Sequence, residues 1–290
     1  CSFLRYREFG EPKLRKSKMK KELELYLHIP FCIRKCEYCD FLSGPADEKS
    51  RRIYLDAMMR ELVAVGSQTK DYEVVSVYIG GGTPSLLPGD WMEELMGVVG
   101  DVYCLKKDAE ISMEANPGTL TESNLAGYHR AGINRLSLGC QSTEDTEVKL
   151  LGRIHSWAQF QESFQMAREA GFANLNVDLM SGLPKQNLAS WEKSLEVIAG
   201  MEPEHISAYS LIIEEGTPFA EKKLELPDEE EERRMYERTW EVLQSYGYHQ
   251  YEISNYALSG RECRHNIGYW DQTPYLGLGL GASSYKEGIR

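Results

Sequence analysis

Runs of apolar residues typical of β-strands alternate six times along this sequence with segments of helical periodicity. The runs lie at residues 23–30, 75–80, 110–114, 135–139, 174–180 and 205–213. A repeated strand–helix pattern indicates parallel βαβ units rather than an antiparallel sandwich. Six such units are too few for a complete eight-stranded barrel. We therefore expect an α/β fold, either a partial parallel (β/α)6 barrel or an open, doubly wound sheet.

The helical segments carry apolar residues three and four positions apart, which predicts amphipathic helices. They lie at residues 47–65, 121–131, 157–170 and 188–199, and a further helix is expected to begin at Asp228. In the first segment, the residues expected to share one buried face are Ile53, Ala57, Met58 and Leu62.

The composition is that of a globular protein and excludes several other classes. Of the 290 residues, 42% are apolar and 27% are charged, which rules out a disordered or collagen-like chain. The net charge of −12, from 33 basic and 45 acidic residues, makes the chain a poor bulk binder of nucleic acid or anionic membrane. No apolar run approaches the roughly 18 residues that a membrane span needs. With no secretory signal in the basic N-terminus, we expect a cytoplasmic protein.

Changes in composition divide the chain into three parts. Residues 1–21 are predicted to be an N-terminal extension, with a natural start at Met19. Residues 22–246 are predicted to form the core. Residues 247–290 are predicted to be the end of the core and the start of a small C-terminal domain. Because residues 276–290 resemble the middle of a strand, we expect the chain to be truncated there.

Chemically distinctive residues follow the predicted strands at their C-terminal ends. They are Cys32–Cys39, Gly80–Pro84, Glu114, Gln141, Asp178 and the segment 214–218. The C-terminal ends of parallel strands meet at one edge of a sheet, where the active sites of such proteins lie. We therefore expect these residues to form one site.

Three of the seven cysteines, Cys32, Cys36 and Cys39, lie within eight positions. Such a local cluster indicates a metal or redox site rather than a disulfide framework. Structural zinc usually takes four ligands in two pairs, and no second pair exists here. The spacing suits a 4Fe-4S cluster with three irons held by cysteine and the fourth open to an external ligand. Structural zinc and three unrelated buried thiols are the alternatives, and Cys104 and Cys140 are expected to be buried structural thiols.

The segment Tyr26-x-His28-Ile-Pro-Phe-Cys32-x3-Cys36-x-Tyr-Cys39 resembles the signature of the radical S-adenosylmethionine (SAM) superfamily. The resemblance implies that SAM chelates the open iron through its amino and carboxylate groups. It also implies that one electron from the cluster cleaves the sulfonium to methionine and a 5′-deoxyadenosyl radical. By the same resemblance, Gly80–Pro84 contacts the amino end of SAM and Glu114 its ribose. The alternative role of Gly80–Pro84 is a tight turn, and that of Glu114 is a surface carboxylate.

Four further motifs resemble one branch of that superfamily, which contains oxygen-independent coproporphyrinogen III dehydrogenase and its heme chaperone paralogue. The motifs lie at residues 138–142, 151–155, 176–184 and 206–211. The resemblance implies that a first SAM is lined by Tyr26, Tyr38, Gly81, Glu114 and Ser283. It implies that a second SAM is lined by Gly82, Thr83, Gln141, Arg153, Asp178 and Ile212. For Arg153 and Asp178, an internal ion pair or a strand-end cap is the alternative.

Two features distinguish the paralogues. The dehydrogenase continues to a fourth cysteine two residues beyond the third, a position held here by Phe41, as is typical of the chaperones. The segment Cys263-Arg-His265-Asn266-Ile-Gly-Tyr269-Trp270 resembles a motif that the branch associates with heme binding. Imidazole is a common axial ligand of heme iron, so His265 is the predicted ligand ahead of Cys263. A structural histidine is the alternative role.

The resemblance therefore implies a radical SAM heme chaperone that binds a 4Fe-4S cluster, SAM and heme and delivers heme to apo-hemoproteins. A low-potential electron donor is an implied partner, and the protein is expected to be a monomer or homodimer. The alternative function is decarboxylation of coproporphyrinogen III propionates in heme biosynthesis. Whether SAM cleavage is part of the function, and hence whether the protein is an enzyme, is left open by the sequence.

Overall fold

The computed structural model describes residues 20–290 and contains a nine-stranded sheet. The predictions of a start at Met19 and of most of the N-terminal extension lie outside the described residues. The strands are β1 (Lys21–Ile29), β2 (Tyr72–Gly81), β3 (Leu105–Ala115), β4 (Arg135–Gln141), β5 (Leu175–Ser181), β6 (His205–Ser210), β7 (His249–Gln250), β8 (Asn255–Ala257) and β9 (Tyr275–Leu278).

The sheet is mostly parallel and its strand order is β7-β8-β6-β5-β4-β3-β2-β1-β9. Strands β1 to β6 lie side by side in chain order, all parallel, as six successive strand–helix units require. Strand β9 adds to β1 in parallel, whereas β8 pairs with β6 and β7 with β8 in antiparallel fashion. The sheet is not closed, because β7 and β9 form its two edges. The predicted α/β fold with a partial parallel barrel is confirmed.

Eight α-helices connect or follow the strands in the described part of the chain. They are α1 (Glu48–Gly66), α2 (Gly89–Val102), α3 (Glu122–Arg130), α4 (Asp145–Leu150), α5 (Trp157–Glu169), α6 (Leu188–Ala199), α7 (Glu229–Ser245) and α8 (Arg264–Trp270). Polar caps begin several of them: Asp47 accepts from the backbone of Ser50, and Ser156 forms a capping box with Gln159. None of these helices combines the length and hydropathy of a membrane span.

The predicted buried face of α1 is wrong for Ile53 and Ala57, which are exposed. The buried residues are Leu55, Met58, Leu62 and Gly66, at spacings of three and four. Each helical residue turns the chain by about 100°, so a residue two positions before or after Leu55 points away from its face.

The prediction that Cys104 is buried is also wrong, whereas Cys140 is buried as predicted. Cys104 lies in the turn between α2 and β3, where its carbonyl accepts a hydrogen bond from Val74 and its side chain is exposed. Cys140 lies inside β4, a strand whose side chains are all buried.

The two faces of the sheet differ in chemistry because successive strand residues point to opposite sides. One face of β1 is apolar, with Leu23, Leu25, Leu27 and Ile29 fully buried. The alternate positions of the strands carry buried polar side chains, among them Glu24, Ser76, Glu110, Ser112, Ser137, Asn176, His205 and Ser207. These polar groups bond to one another across strands; Asn176, for example, donates to Ser137 at 2.7 Å. This polar face therefore extends to the strand ends, where the predicted site residues lie.

Candidate cluster and cofactor site

The three clustered cysteines lie on the loop after β1 and face one cavity of about 320 Å³. Backbone hydrogen bonds close the loop: the Cys32 N–H donates to the Gly44 carbonyl at 3.0 Å, and the Cys39 N–H donates to the Cys36 carbonyl at 3.3 Å. All three side chains are partly buried. The three cysteines therefore line one cavity.

The three thiols are a donor set that fits an iron–sulfur cluster. In residues 20–290 no three His, Cys, Asp or Glu side chains converge on a point that one metal ion would occupy. A cluster takes one cysteine for each iron, so its sulfur ligands need not converge on one atom. Burial raises the pKa of the Cys36 and Cys39 thiols, and binding to iron would supply the positive charge that favours their thiolates.

The glycine loop after β2 packs against the base of the cysteine loop. The Gly82 N–H donates to the Ile29 carbonyl at 2.8 Å, and the Thr83 N–H donates to the Phe31 carbonyl at 2.6 Å. A Cβ atom at Gly82 would lie 2.6 Å from the Phe31 carbonyl oxygen, so only glycine permits this approach. Because Gly81 also donates its N–H to Glu114, these three N–H groups are all bonded within the protein and are not available to a SAM carboxylate.

Two half-buried carboxyl groups, Glu114 on β3 and Asp178 on β5, face the cysteine cavity. Glu114 accepts hydrogen bonds from Tyr78 at 3.1 Å and from Gly81 at 2.9 Å. Burial, and secondly the charge of Asp178, raise the pKa of Glu114 to about 7. Asp178 accepts from Ser137 at 3.1 Å, and burial raises its pKa as well. A cation in this cavity would favour the ionised form of both groups, which fits the ammonium and sulfonium of SAM.

Arg153 borders the same cavity and is held by hydrogen bonds within the protein. Its guanidinium donates to Asn116 Oδ1 at 2.8 Å, to the Gly139 carbonyl at 2.7 Å, and to Tyr38 and His155, each at 3.4 Å. Burial, and secondly the charge of Arg153, lower the pKa of His155 to about 4, so its neutral ring accepts. Four of the five guanidinium protons are thus engaged, and a SAM carboxylate would compete with these partners.

Gln141 enters the cavity from the end of β4 in an unusual backbone conformation. Its φ is 70°, in the left-handed region that non-glycine residues seldom adopt, and its side chain is buried. The pairing of β4 with β5 shifts register between Gly139 and Gln141, which marks a bulge at this point. The bulge and the local strain direct Gln141 towards the cysteine cavity.

A larger cavity of about 1000 Å³ adjoins the first one. Of the residues predicted for the first SAM, Tyr26, Gly81, Glu114 and Ser283 line this larger cavity, whereas Tyr38 lines the cysteine cavity. Of those predicted for the second SAM, Gly82, Gln141, Arg153 and Asp178 line the cysteine cavity. Thr83 lies beside it and contacts the sulfur of Cys32. Ile212 lines neither cavity and is 67% exposed, so the structure does not bring it to the others.

His265 lies on α8 and is buried, with an exposed fraction of 2%. Its Nδ1 is 2.9 Å from Ser76 Oγ, its Nε2 is 3.2 Å from the Tyr269 hydroxyl, and its ring stacks on Tyr78 at 5.1 Å. Burial lowers the pKa of His265 to about 3, so the ring is neutral. Neither nitrogen is open to a heme iron in this arrangement. Cys263 is also buried, with its thiol donating to Glu110 at 3.4 Å.

Several residues that line the cysteine cavity were not predicted to contact a cofactor, although Gly139, Met180 and Tyr209 lie within the motifs quoted from the sequence. They are Tyr78, Ala115, Asn116, Ser137, Gly139, Met180 and Tyr209. For Tyr78 the available signal was strand alternation, since it precedes Gly80 of the glycine loop by two positions.

A family model described as the radical SAM superfamily matches residues 26–198. Two curated relatives are named heme chaperone HemW. The one from Bacillus subtilis (strain 168) is 40% identical over 275 residues, which cover 91% of this chain and 71% of that protein. The one from Escherichia coli (strain K12) is 40% identical over 261 residues, which cover 90% of this chain and 69% of that protein.

A solved structure of coproporphyrinogen III oxidase (HemN) from Escherichia coli, described as a radical SAM enzyme, has a similar fold. It superposes with a TM-score of 0.81 at 26% identity, covering 92% of this chain and 65% of that one. The chain thus spans about seven tenths of the two HemW relatives and slightly less than two thirds of the oxidase.

Proposed function

The chain belongs to the radical SAM superfamily and, within it, to the family of the curated HemW heme chaperones, and from this premise we propose that it binds a 4Fe-4S cluster, SAM and heme and delivers heme to apo-hemoproteins. Cys32, Cys36 and Cys39 are the proposed cluster ligands.

The observation that carries the proposal is the shared cavity of the three cysteines, Glu114 and Asp178. When bound, the cluster supplies an electron at low potential and an open iron for the amino and carboxylate groups of SAM. The two carboxyl groups would balance the positive charge of SAM. The hydrophobic and aromatic side chains of Tyr78, Met180 and Tyr209 would limit the access of water.

Heme is the third proposed ligand, and His265 is its proposed axial ligand. Support comes from the names of the curated relatives and from the motif of residues 265–270. Because both ring nitrogens of His265 are engaged, ligation requires that its hydrogen bonds to Ser76 and Tyr269 break. Tyr269 and Trp270 are 44% and 60% exposed, so heme would meet these two rings first.

The remaining parts of the proposal concern partners and organisation. A low-potential electron donor would reduce the cluster, and apo-hemoproteins would accept the heme in the cytoplasm, with the chaperone acting as a monomer or homodimer. Residues 22–246 would be the radical SAM core, preceded by an extension in residues 1–21. Residues 247–290 would complete the core and begin a small C-terminal region.

The alternative function is that of the coproporphyrinogen dehydrogenase, and the fold similarity to the oxidase favours it. Phe41 opposes it, because this residue stands at the position of the dehydrogenase's fourth cysteine. The Phe41 side chain is 60% exposed and lines both cavities, so it is positioned to contact a ligand. Its phenyl ring has no atom that binds iron.

Parallel assays of one preparation test the two functions. The protein is purified without oxygen, its cluster is reconstituted, and hemin binding and coproporphyrinogen III decarboxylation are measured side by side. The chaperone proposal expects stoichiometric hemin binding, transfer to an apo-hemoprotein and no decarboxylation. Sustained decarboxylation, or failure to bind hemin, would overturn it.

A further inference from the structure

A chain of three hydrogen bonds links the guanidinium of Arg153 to the sulfur of Cys32. The Arg153 Nη2 donates to Asn116 Oδ1 at 2.8 Å. The Asn116 Nδ2 donates to Thr83 Oγ1 at 2.8 Å. The Thr83 hydroxyl donates to Cys32 Sγ at 3.7 Å, a distance at which sulfur accepts. Residues from four separate parts of the sequence thus converge on one of the three cysteines.

The chemistry of the groups determines which partner donates and which accepts in each of these three hydrogen bonds. A guanidinium donates and cannot accept, so the Asn116 atom that faces Arg153 must be its carbonyl oxygen. The amide nitrogen of Asn116 then faces Thr83 and donates to it. Since Thr83 Oγ1 accepts from this nitrogen, its single proton is free to point at the sulfur. Arg153 therefore sets the orientation of the Asn116 amide, and Asn116 sets that of the Thr83 hydroxyl. As a result, Cys32 receives a hydrogen bond.

The hydrogen bond from Thr83 to the sulfur of Cys32 lies in a protected environment. Thr83 is 2% exposed, so water does not replace its hydroxyl at the sulfur.

We propose that Thr83 is a positioning residue that raises the reduction potential of the cluster by donating a hydrogen bond to Cys32, in a direction imposed by Asn116 and Arg153. Reduction adds negative charge to the cluster and its thiolates, so a donor at sulfur stabilises the reduced form more than the oxidised form. The inference rests on the proposed function, because it requires that the cluster be present.

The test is a redox titration of the reconstituted protein without SAM, followed by electron paramagnetic resonance (EPR). In Thr83→Val the hydroxyl is lost at nearly constant volume, and the equilibrium constant for reduction is expected to fall about tenfold, which is 59 mV for a one-electron couple. Thr83→Ser keeps the hydroxyl and is expected to stay close to the wild-type potential. Thr119→Val is the matched control, because the Thr119 hydroxyl bonds to Ser85 and to the Asn116 carbonyl and not to sulfur.

The outcomes separate this inference from the function on which it rests. A Thr83→Val variant with the iron content and the potential of wild type overturns the inference alone. A wild-type protein that takes up no iron overturns the proposed function and the inference together. If Thr83→Val loads poorly, Asn116→Ala replaces it, since this change releases the Thr83 hydroxyl without touching the cysteine loop. A lowered potential in Asn116→Ala supports the inference, and an unchanged potential overturns it.

Discussion

Glu114 accepts a 2.9 Å hydrogen bond at Oε2 from the backbone N–H of Gly81, which joins the end of β3 to the end of β2. Both residues line the cysteine cavity and the larger adjoining cavity. The contact therefore lies at the boundary between the proposed cluster site and the space in which a ligand of SAM size or larger would lie. Glycine at position 81 is required because its φ of 110° is unfavourable for other residues.

The first prediction concerns the charge of Glu114. Because the pKa of this carboxyl is raised to about 7, the affinity for cationic SAM should increase as the pH rises from 6 to 8 and the group ionises. Glu114→Gln should lower the affinity by about tenfold at pH 8 and remove most of this pH dependence. Calorimetric titration of the cluster-loaded protein with SAM measures both effects. Glu24→Gln is the control, and equal pH profiles for wild type and Glu114→Gln would contradict the prediction.

The second prediction concerns the cluster ligands. Alanine in place of Cys32, Cys36 or Cys39 should each abolish the brown iron–sulfur absorbance, because a cluster that loses one of three protein ligands is not retained. Cys140→Ala is the matched control, since this buried thiol lies within β4 and should leave the absorbance intact. Absorbance and iron analysis after anaerobic reconstitution give the answer. Loss of iron in Cys140→Ala, with iron kept in any of the other three, would show that the ligand set is different.

The third prediction concerns stability and pH. Burial raises the pKa of Glu24 to about 8, and Glu24 Oε2 has no hydrogen-bond partner. Glu24 lies 3.6 Å from His265, yet burial keeps both side chains neutral near pH 7. Below pH 4.5 the carboxyl is protonated in both the folded and unfolded states, and its contribution to stability is fully present. Between pH 4.5 and 8 only the unfolded state ionises, so the free energy of unfolding falls as the pH rises.

Glu24→Gln should remove this part of the pH dependence, on the order of 3 kcal/mol between pH 5 and pH 8. Urea denaturation at several pH values measures the free energy of unfolding for both proteins. The comparison uses the slope with pH rather than the absolute stability, because the amide introduces two donors of its own. Parallel pH profiles for wild type and variant would be incompatible with a raised Glu24 pKa.

The fourth prediction concerns heme. If His265 ligates the iron after its hydrogen bonds break, Tyr269→Phe should raise the affinity for hemin, since the Nε2 atom then has one partner fewer. One hydrogen bond of about 1 kcal/mol corresponds to about a fivefold change. His265→Ala should change the Soret band and weaken binding, and the exposed His129 provides the control as His129→Ala. An unchanged Soret band and affinity in His265→Ala would eliminate this residue as the ligand.

The sequence predicts much of the fold because β1 to β6 are long and apolar on at least one face. It also predicts where the candidate site lies, since the cysteine loop, the glycine loop and Glu114 are all at strand ends that must meet in a parallel sheet. The sequence does not predict that β7 and β8 join the same sheet, because they are only two and three residues long and pair in antiparallel fashion. Local sequence patterns carry little information about such pairings.

Burial of individual polar residues could not be predicted from the sequence. His265 belongs to a seven-residue helix with polar and aromatic neighbours, and nothing in that pattern reveals that its ring stacks against Tyr78 on β2. The chain of hydrogen bonds from Arg153 to Cys32 passes through Asn116 and Thr83. Consecutive members of it lie more than thirty residues apart in the sequence. Such networks arise from tertiary packing, which places donors and acceptors together independently of local pattern.

The central claim is that three cysteines hold a 4Fe-4S cluster whose fourth iron binds SAM. The most direct measurement is EPR of the reduced, anaerobically reconstituted protein before and after SAM is added, together with metal analysis of the same sample. The account predicts about four irons per chain and an EPR signal that changes when SAM is added. A protein that contains no iron, that binds stoichiometric zinc at the cysteine loop, or whose cluster signal is unaffected by SAM would contradict it.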